Sequence, residues 1–414
     1  MPVQRREFLS SWMAAAVPAH ALAPRSDPSA WRADFPITRE RVYFNSASEH
    51  PISVHSARAM KEYVDYLTTD LTRAEWVETP KRTADFRDAR LRDIRTMFAR
   101  LINAKPSEIA FIKSTQSGEN LVVNGMDIRA SGGNVVTNDL HYESCLHSYK
   151  MRQKDGLDVR IVKNRDWTID IRDLEKRVDR KTKLIATTLV SNVNGLLQDV
   201  KAMSDLAHAH GAYLFADIIQ GAGAIPIDVK ALGIDFASCS TYKWLMGLRG
   251  FAYLYVREDL QGRVVKPTEF SGGVRFNYAP WSSSPDMGSP DFGVTPRTGA
   301  AQYEVGNVSN VASYCQYESL QYIERLGIEN IRAHVRPLTE RLRKQLPALG
   351  YRCITPQGNE SPIVTFQVKD PKATAERLRK ANIELTLRFG NQMRIAVSVF
   401  NNAEDVDRLL QALA

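Results

Sequence analysis

The feature that most constrains the fold is a series of seven short apolar runs between residues 109 and 256. Helical patterns, such as those at 117–125 and 200–210, separate several of these runs. Strands that are apolar along their whole length and are joined by helices form a mostly parallel sheet with both faces covered. The pattern therefore predicts an α/β protein. The predicted strands are 109–111, 134–137, 159–162, 184–190, 212–216, 236–239 and 251–256.

The composition excludes several classes of function. A chain of 414 residues predicts two domains. The net charge of +8 is spread along the chain without a basic block, so we expect no nucleic-acid partner. The four cysteines lie far apart without metal-ligand spacing, and we expect no metal site. No run reaches the ~18 apolar residues that span a bilayer, so we expect no stable membrane insertion.

The first 23 residues differ in kind from the rest of the chain. A basic start containing Arg5 and Arg6 precedes a mildly apolar run and then small residues at alternate positions. This arrangement is typical of a secretory signal, and the paired arginines resemble the twin-arginine export motif. The expectation is a twin-arginine signal peptide over residues 1–23 and a periplasmic protein. If the leader is no signal, the protein is cytoplasmic.

Two charged residues follow predicted buried strands. Lys243 comes shortly after the strand at 236–239, and Asp217 directly follows the strand at 212–216. Burial lowers the pKa of a lysine and makes its amine a usable nucleophile. A lysine that can form a Schiff base and a buried aspartate that can pair with a pyridinium are the groups that pyridoxal phosphate (PLP) chemistry requires.

Other polar residues lie at the ends of neighbouring predicted strands. Thr115 and Gln116 follow the first strand and open a helix, where backbone N–H groups can hold a phosphate. Tyr142, Asn192 and Gln220 follow three further strands. Ligands bind at the carboxyl ends of such strands, so these side chains are predicted to converge on one site.

Motifs at these strand ends resemble a known family. Ser-Asn-Val-Asn-Gly at 191–195, Asp-Ile-Ile-Gln-Gly-Ala-Gly at 217–223 and Ser-Thr-Tyr-Lys-Trp-Leu-Met-Gly at 240–247 occur in order and at familiar spacing. Together they are similar to the class V aminotransferase family of fold-type I PLP enzymes, over essentially everything after Arg41. The branch looks like the isopenicillin N epimerase-like and selenocysteine lyase-like members.

The resemblance implies a two-domain organisation. A large domain with a mostly parallel seven-stranded sheet, over residues 63–307, is expected to bind PLP. A smaller α+β C-terminal domain is expected at 308–414. Residues 24–62 are expected to pack with that small domain. The resemblance also implies a homodimer with the active site at the interface between the subunits.

Five residues match the family positions that act on the cofactor ring. Lys243 is expected to bond the PLP aldehyde and then to serve as the catalytic acid and base. Asp217 is expected to keep the pyridine nitrogen protonated. Gln220 and Asn192 match positions near the ring's 3′-oxygen. Tyr142 occupies the place of the aromatic residue that stacks on the ring, often a histidine.

A second group matches the phosphate-binding positions. Thr115, Gln116 and Ser240 are expected to cradle the phosphate. Tyr242 stands where many members have a histidine, so that contact would come from a hydroxyl. Asn307 replaces a threonine that reaches the phosphate of the neighbouring subunit, and an asparagine can still donate a hydrogen bond there.

The substrate is expected to be a small molecule of amino-acid type. Arg394 matches the arginine that binds the α-carboxylate through a two-pronged contact. Asn45, His50, Trp281 and Arg388 are further candidate substrate contacts.

One departure from the family concerns sulfur chemistry. Cysteine desulfurases of the family carry a mobile persulfide cysteine between the positions of Leu385 and Arg394. This chain has Arg-Phe-Gly-Asn at 388–391 instead, and Cys353 comes too early in the sequence. Desulfurase activity is therefore disfavoured.

The reaction itself stays open at this point. Amino transfer on an amino acid or an amino-acid-derived metabolite is the first choice. A β-eliminating C–S lyase or an amino-acid epimerase on the same fold is the alternative. A PLP-fold protein that binds a ligand without catalysis is the non-enzymatic alternative, against which the joint presence of Lys243, Asp217 and Arg394 argues.

Overall fold

The computed structural model describes residues 28–69, 80–269, 274–276 and 294–414. The predicted signal peptide at 1–23 and the candidate contact Trp281 lie outside the described residues.

The strands are numbered in chain order. They are β1 (Val42–Tyr43), β2 (Ile109–Ile112), β3 (Asn134–Asn138), β4 (Asp158–Val162), β5 (Thr182–Thr188), β6 (Tyr213–Asp217), β7 (Phe236–Ser240), β8 (Ala252–Val256), β9 (Val274–Phe276), β10 (Val294–Pro296), β11 (Arg352–Cys353), β12 (Ile363–Gln367), β13 (Ile383–Glu384), β14 (Thr386–Arg388) and β15 (Gln392–Ala396).

The α-helices of the described residues follow the same convention. They are α1 (Pro28–Arg32), α2 (Ile37–Glu40), α3 (Val54–Thr69), α4 (Pro80–Leu101), α5 (Thr115–Gly125), α6 (Glu143–Lys154), α7 (Ile171–Glu175), α8 (Val200–Ala209), α9 (Asn310–Leu326), α10 (Ile328–Gln345), α11 (Pro371–Lys380) and α12 (Ala403–Leu413).

The main sheet contains all seven predicted strands, in the order β2-β8-β7-β6-β5-β3-β4. The four pairings from β7 to β4 are parallel. β8 runs antiparallel to both of its neighbours, β2 and β7. The prediction of an α/β fold with a mostly parallel seven-stranded sheet is confirmed. Parallel strands bring their carboxyl ends to one edge, where a ligand site is expected.

Most residues of the main sheet are buried because the sheet is covered on both faces. Leu214 of β6 belongs to one buried cluster and its neighbour Phe215 to another. The same alternation separates Phe111 from Ala110 in β2. Successive side chains of a strand point to opposite faces, so each face of the sheet carries a hydrophobic core of its own.

The C-terminal part forms a smaller antiparallel sheet in the order β11-β12-β15-β14. The N-terminal segment contacts this part of the chain in two places, because β1 pairs in parallel with β13 in a separate two-stranded sheet and Asn45 forms a parallel bridge with Ala396 of β15. Val42 and Phe44 are fully buried in the same cluster as Phe366 and Ile395 of the small sheet. The segment before α3 is therefore tied to the C-terminal part by backbone pairing and by shared burial.

The domain limits drawn from the sequence remain predictions. The limit between residues 62 and 63 falls inside α3, which continues to Thr69. In the described part of the chain, no helix has the length and apolar character that crossing a membrane requires.

Candidate active site

The polar strand ends converge on one cavity of about 220 Å³ at the edge of the main sheet. Residues from five separate stretches of the chain line it, and most were predicted from the sequence. The lining includes Lys113, Ser114, Thr115, Gln116, Tyr142, Thr188, Asn192, Asp217, Ile219, Gln220, Ser240, Tyr242, Lys243, Arg249 and Gly250.

Lys243 lies in the turn that follows β7 and is only 6% exposed. The turn is held by two backbone hydrogen bonds, from Met246 N–H to the Lys243 carbonyl (2.7 Å) and from Gly247 N–H to the Thr241 carbonyl (2.8 Å). Burial lowers the pKa of the Lys243 amine to about 8, although the nearby Asp217 carboxylate opposes the shift. A large share of this amine is therefore uncharged at mildly alkaline pH.

Asp217 ends β6 beside this lysine and is 2% exposed. Its Oδ1 accepts a hydrogen bond from the Ile219 N–H at 2.9 Å. Burial raises the pKa of the Asp217 carboxyl to about 6, against the opposing effects of His141 and the Ile219 hydrogen bond. A cationic ring nitrogen placed against this carboxylate would relieve that cost, because an opposite charge favours the ionised form.

Two aromatic rings stand near the lysine amine. Lys243 Nζ lies 5.8 Å from the centre of the Tyr142 ring and 5.7 Å from that of Tyr242. Arg249 lies over the Tyr242 ring at 4.4 Å. The cavity thus has aromatic side chains on its walls and a cationic guanidinium at one of them.

The N-terminus of α5 forms another wall of the cavity. Thr115 N–H donates to Ser240 Oγ at 2.8 Å, and the Ser240 N–H donates to Thr115 Oγ1 at 2.9 Å. Gln116 Nε2 donates to the Ser144 carbonyl at 3.0 Å. A helix N-terminus carries partial positive charge, and this one opens into the cavity, as a phosphate site requires.

α5 approaches the sheet closely at Gly118. A methyl group on Gly118 would lie 2.7 Å from Ile112 Cδ1 and 2.7 Å from Ser238 Cβ. Only a residue without a side chain allows the helix to pack this near β7. The glycine thereby determines how far the helix N-terminus stands from Ser240 and Lys243.

Asn192 and Gln220 lie on the cavity wall, as the sequence predicted. Gln220 is oriented by two contacts, since Nε2 donates to the Ala47 carbonyl (3.0 Å) and Oε1 accepts from Trp244 Nε1 (2.8 Å). Asn192 Oδ1 is buried and has no hydrogen-bond partner in the described part of the chain. A buried acceptor of this kind costs free energy unless a bound group donates to it.

Arg394 lies on β15 of the small sheet and is 4% exposed. Nη1 donates to the Asn192 carbonyl at 2.9 Å, and Nη2 donates to Ser48 Oγ at 2.6 Å and to Thr386 Oγ1 at 3.2 Å. Asn45 Oδ1 accepts from that same Thr386 hydroxyl at 2.5 Å. Burial lowers the pKa of Arg394 to about 10, which is still far above neutrality.

Two predicted contacts are placed elsewhere. His50 is buried among aromatic rings, with Nδ1 bonded to the Pro51 carbonyl and Nε2 to Ser398 Oγ, both at 2.6 Å. Burial lowers its pKa to about 4, and it is a neutral core residue rather than a substrate contact. Asn307 is exposed and is not part of the cavity wall of its own chain.

Sequence reasoning missed two charged partners near the site. Glu143, the first residue of α6, pairs with Arg388 at 2.8 Å and accepts from Asn192 Nδ2 at 3.0 Å. Glu119 and His141 form a buried pair, with 3.1 Å between Glu119 Oε1 and His141 Nε2. Glu119 follows polar and small residues in its helix and precedes Asn120, so nothing in the sequence indicated that it is buried.

The cysteines are not part of the cavity wall. Cys145, Cys239 and Cys315 are buried in α6, β7 and α9, and Cys353 is half-buried in β11. These are all four cysteines of the chain, and none lines the cavity. Burial raises the pKa of the Cys239 thiol well above its usual value, so it stays protonated and unreactive.

An α/β sheet with a buried lysine and aspartate at its carboxyl edge defines a class of PLP-type folds, and comparisons with known proteins identify the family. The aminotransferase class-V family model matches residues 42–409. The chain belongs to this family. The isopenicillin N epimerase-like branch is not distinguished by these comparisons.

Relatives span nearly the whole chain. A probable cysteine desulfurase of Methanothermobacter thermautotrophicus is 29% identical over 403 residues, covering 92% of this chain and 96% of the relative. An uncharacterised aminotransferase of Bacillus subtilis is 25% identical over 389 residues, covering 94% and 97%. A solved C-DES variant with glycine covalently linked to its PLP cofactor shares the fold, with a TM-score of 0.80, 19% identity and coverage of 92% and 98%.

The residues present fit PLP, the cofactor of this family. A buried amine, a buried carboxylate and a helix N-terminus line one cavity, and these are the groups that an aldehyde, a pyridine nitrogen and a phosphate require. The unpartnered Asn192 Oδ1 is a further sign that the cavity is built around a polar ligand. The chain is a PLP-dependent enzyme of class V.

Proposed function

We propose that this enzyme transfers the amino group of an amino-acid-type substrate, with Lys243 as the catalytic acid and base. The observation that carries the proposal is a buried lysine with an amine pKa near 8 in a cavity whose wall residue Asn192 is bonded through its carbonyl by a buried arginine, Arg394. When bound, PLP supplies a carbonyl that bonds amines and a ring that accepts electrons from the substrate's Cα.

The protein's own residues would hold that cofactor at three points. Lys243 would bond its aldehyde, and Asp217 would pair with the ring nitrogen. Asp217 can do so only when ionised, and the positive charge of the ring would favour that form. Thr115 and Ser240, with Gln116, would bind the phosphate at the N-terminus of α5.

Other residues would set the orientation of the ring. Tyr142 would stack on one face, since its ring already borders the Lys243 amine. Asn192 and Gln220 would bond the oxygen at the 3′ position, while the Tyr242 hydroxyl would add a contact to the phosphate. Gln220 is positioned for this by Ala47 and Trp244 before any ligand binds.

Proton transfer would depend on the Lys243 amine. An amine with a pKa near 8 is mostly protonated at neutral pH but keeps a usable uncharged fraction, so it can both accept and return a proton. The burial that lowers this pKa also keeps water from the amine. The same group would therefore remove the proton from the substrate's Cα and deliver it to the position that determines the product.

Arg394 would bind the substrate's α-carboxylate. Its three described hydrogen-bond acceptors are neutral, and no ion pair of the described residues includes it. A buried guanidinium without a counter-ion gains most from an arriving carboxylate, which it can bind through two parallel hydrogen bonds. Asn45 would contribute indirectly, through the Thr386 hydroxyl that both side chains contact.

A β-eliminating C–S lyase is the second candidate, because a relative that spans this chain is named a cysteine desulfurase. The positions of the four cysteines favour amino transfer over a desulfurase that carries sulfur on its own chain. β14 and β15 are joined by a short turn in which Phe389 is 55% exposed, and no cysteine occurs there. A lyase that releases its sulfur product directly would not need one.

Product analysis distinguishes the candidates. The PLP-loaded protein is incubated with a panel of amino acids, with and without a 2-oxo acid as amino acceptor. Keto acid formed together with pyridoxamine phosphate supports amino transfer. Pyruvate with a released thiol identifies the lyase, and racemisation with deuterium exchange at Cα identifies the epimerase expected of the isopenicillin N epimerase-like branch. A colourless protein that ignores added PLP supports the ligand-binding alternative.

A homodimer is part of the same proposal. Asn307 is exposed in a single chain and outside its cavity, which is where a residue that serves a partner's phosphate would be. Closed two-fold dimers are the commonest oligomers. Sedimentation of the wild type tests the dimer, and Asn307→Ala should weaken PLP binding without changing the oligomeric state. A monomeric holoenzyme would exclude the contact.

Export through the twin-arginine route is proposed from residues 1–23 alone. Replacing Arg5 and Arg6 by lysine keeps the charge and removes the paired guanidinium groups. The expected result is retention of the protein in the cytoplasm. Periplasmic delivery of the double variant would contradict the twin-arginine assignment.

A further inference from the structure

The substrate end of the site holds two guanidinium groups close together. Arg388 Nη1 and Arg394 Nη1 both donate to the carbonyl oxygen of Asn192, at 3.3 and 2.9 Å. Arg388 adds to the lowering of the Arg394 pKa, as a nearby like charge does. Two neighbouring cations repel each other, and the arrangement is stable only if anions offset the repulsion.

Among the described residues one anion is present, Glu143, and it is held by Arg388 and by a hydrogen bond from Asn192 Nδ2 at 3.0 Å. Glu143 pairs with Arg388 at 2.8 Å, and the Glu143 side chain is 50% exposed while that of Arg388 is 14% exposed. A half-exposed carboxylate regains water readily when it moves, whereas a covered guanidinium does not. Glu143 also begins α6, so the helix N-terminus would still stabilise its charge after the pair separates.

Arg388 is held in place independently of Glu143. It keeps its hydrogen bond to the Asn192 carbonyl, and its guanidinium carbon lies 4.0 Å from the centre of the Phe389 ring. Both contacts remain if Glu143 turns away. The Arg388 guanidinium is therefore fixed in place, whereas its counter-ion, the Glu143 carboxylate, can be replaced by another anion.

We infer that the substrate is a dicarboxylic amino acid or the corresponding 2-oxo acid, whose distal carboxylate binds Arg388 in place of Glu143. This inference rests on the proposed function, in which Arg394 binds the α-carboxylate. A short dicarboxylate carries two anions at a separation suited to two adjacent guanidinium groups. Arg388 is then a specificity-determining residue, and Glu143 is a competitor that keeps the pocket neutral between turnovers.

The inference predicts opposite effects for the two partners. Arg388→Leu should lower kcat/KM for L-aspartate and L-glutamate by about 10- to 100-fold, the loss expected for a charge-assisted hydrogen bond. The value for L-alanine should change by less than about threefold. Glu143→Gln should lower KM for the dicarboxylic substrates, since the competitor is gone. Arg388→Lys should recover part of the loss, because the positive charge is kept.

The experiment measures steady-state kinetics of the PLP-loaded enzyme with L-aspartate, L-glutamate, L-alanine and L-lysine. Arg352→Leu is the matched control, because Arg352 is an exposed arginine away from the cavity and should leave every constant unchanged. Preference for L-alanine or L-lysine over both dicarboxylic substrates overturns the inference. So does an equal loss on all four substrates in Arg388→Leu, which would show a structural role.

Failure of the proposed amino transfer would give a different result from failure of the inference about the substrate. If no amino acid yields keto acid although the protein binds PLP, then amino transfer itself is wrong, and the inference falls with it. If L-alanine is converted but the dicarboxylic substrates are not, then only the inference is wrong. Both outcomes come from the same panel.

Discussion

Ser240 and Thr115 bond each other through both backbone and side chain. The Thr115 N–H donates to Ser240 Oγ, the Ser240 N–H donates to Thr115 Oγ1, and the two hydroxyl oxygens lie 3.0 Å apart. These contacts join the end of β7 to the beginning of α5, although 125 positions separate the two residues. Because Lys243 follows Ser240 closely, the link places the phosphate end of the site relative to the reactive amine.

Ser240→Ala tests this link. The change removes the acceptor for the buried Thr115 N–H, which costs about 1–3 kcal/mol. We expect the Kd for PLP to rise by about tenfold or more, measured by titrating the apo-protein and following absorbance. Ser148→Ala is the matched control, because the Ser148 hydroxyl bonds Asn120 outside the cavity. An unchanged Kd in Ser240→Ala would show that the phosphate binds elsewhere.

The pKa of Lys243 predicts how cofactor loading depends on pH. Only the uncharged amine attacks an aldehyde, and burial lowers the pKa of this amine to about 8. The loading rate should therefore rise with pH and level off above about 8, as measured by stopped-flow absorbance. An exposed lysine would still gain rate up to about 10.4. A midpoint near that value would contradict the buried environment, and Lys243→Ala should show no covalent loading at any pH.

The sequence alone was sufficient to predict the main sheet and most residues of the cavity wall. Largely apolar runs identified all seven strands of the main sheet, because burial on both faces favours apolar residues at successive positions. Asp217, Asn192 and Lys243 were detectable because polar groups directly after such strands must lie at the sheet's carboxyl edge.

Pairings between distant segments were not detectable from the sequence. Arg388 was named as a candidate contact, but its partner Glu143 lies 245 positions away. His50 was placed near the substrate, yet Ser398, 348 positions later, holds it in the core. A single sequence shows which residues suit a strand end or a helix. It contains no local signal for which two charges or hydrogen-bonding groups will meet when remote elements pack.

Asp217 is expected to lower the stability of the apo-protein, although the cofactor requires its carboxylate. Its pKa is raised from 3.8 to about 6, so the folded apo-protein binds more protons than the unfolded chain between those pH values. The contribution of Asp217 to the free energy of unfolding should therefore fall as pH rises from 4 to 6, by about 3 kcal/mol at most, which is measured as the difference between wild type and Asp217→Asn. In apo Asp217→Asn this fall should be absent, and the Ile219 N–H keeps an acceptor.

The same substitution should act in the opposite direction on the holoenzyme. Without a carboxylate against the ring nitrogen, PLP-loaded Asp217→Asn should lose activity by several orders of magnitude and gain less stability from the cofactor than wild type. Denaturant unfolding of both proteins, with and without PLP, measures this. Equal stability profiles for apo wild type and variant between pH 4 and 6 would show that Asp217 is not the titrating group.

Gly118→Ala tests whether the position of α5 matters for the site. Alanine favours a helix over glycine by about 1 kcal/mol, but the added methyl would lie 2.7 Å from Ile112 Cδ1 and from Ser238 Cβ. The steric clash should outweigh the gain in helix propensity, with a net loss of about 1–3 kcal/mol in the free energy of unfolding. PLP binding should also weaken, because α5 shifts away from Ser240. Adding Ile112→Val removes one of the two clashing atoms and should restore part of both quantities. If the double variant is no better than Gly118→Ala, or if Gly118→Ala is as stable as wild type, then close packing at Gly118 does not position the helix N-terminus.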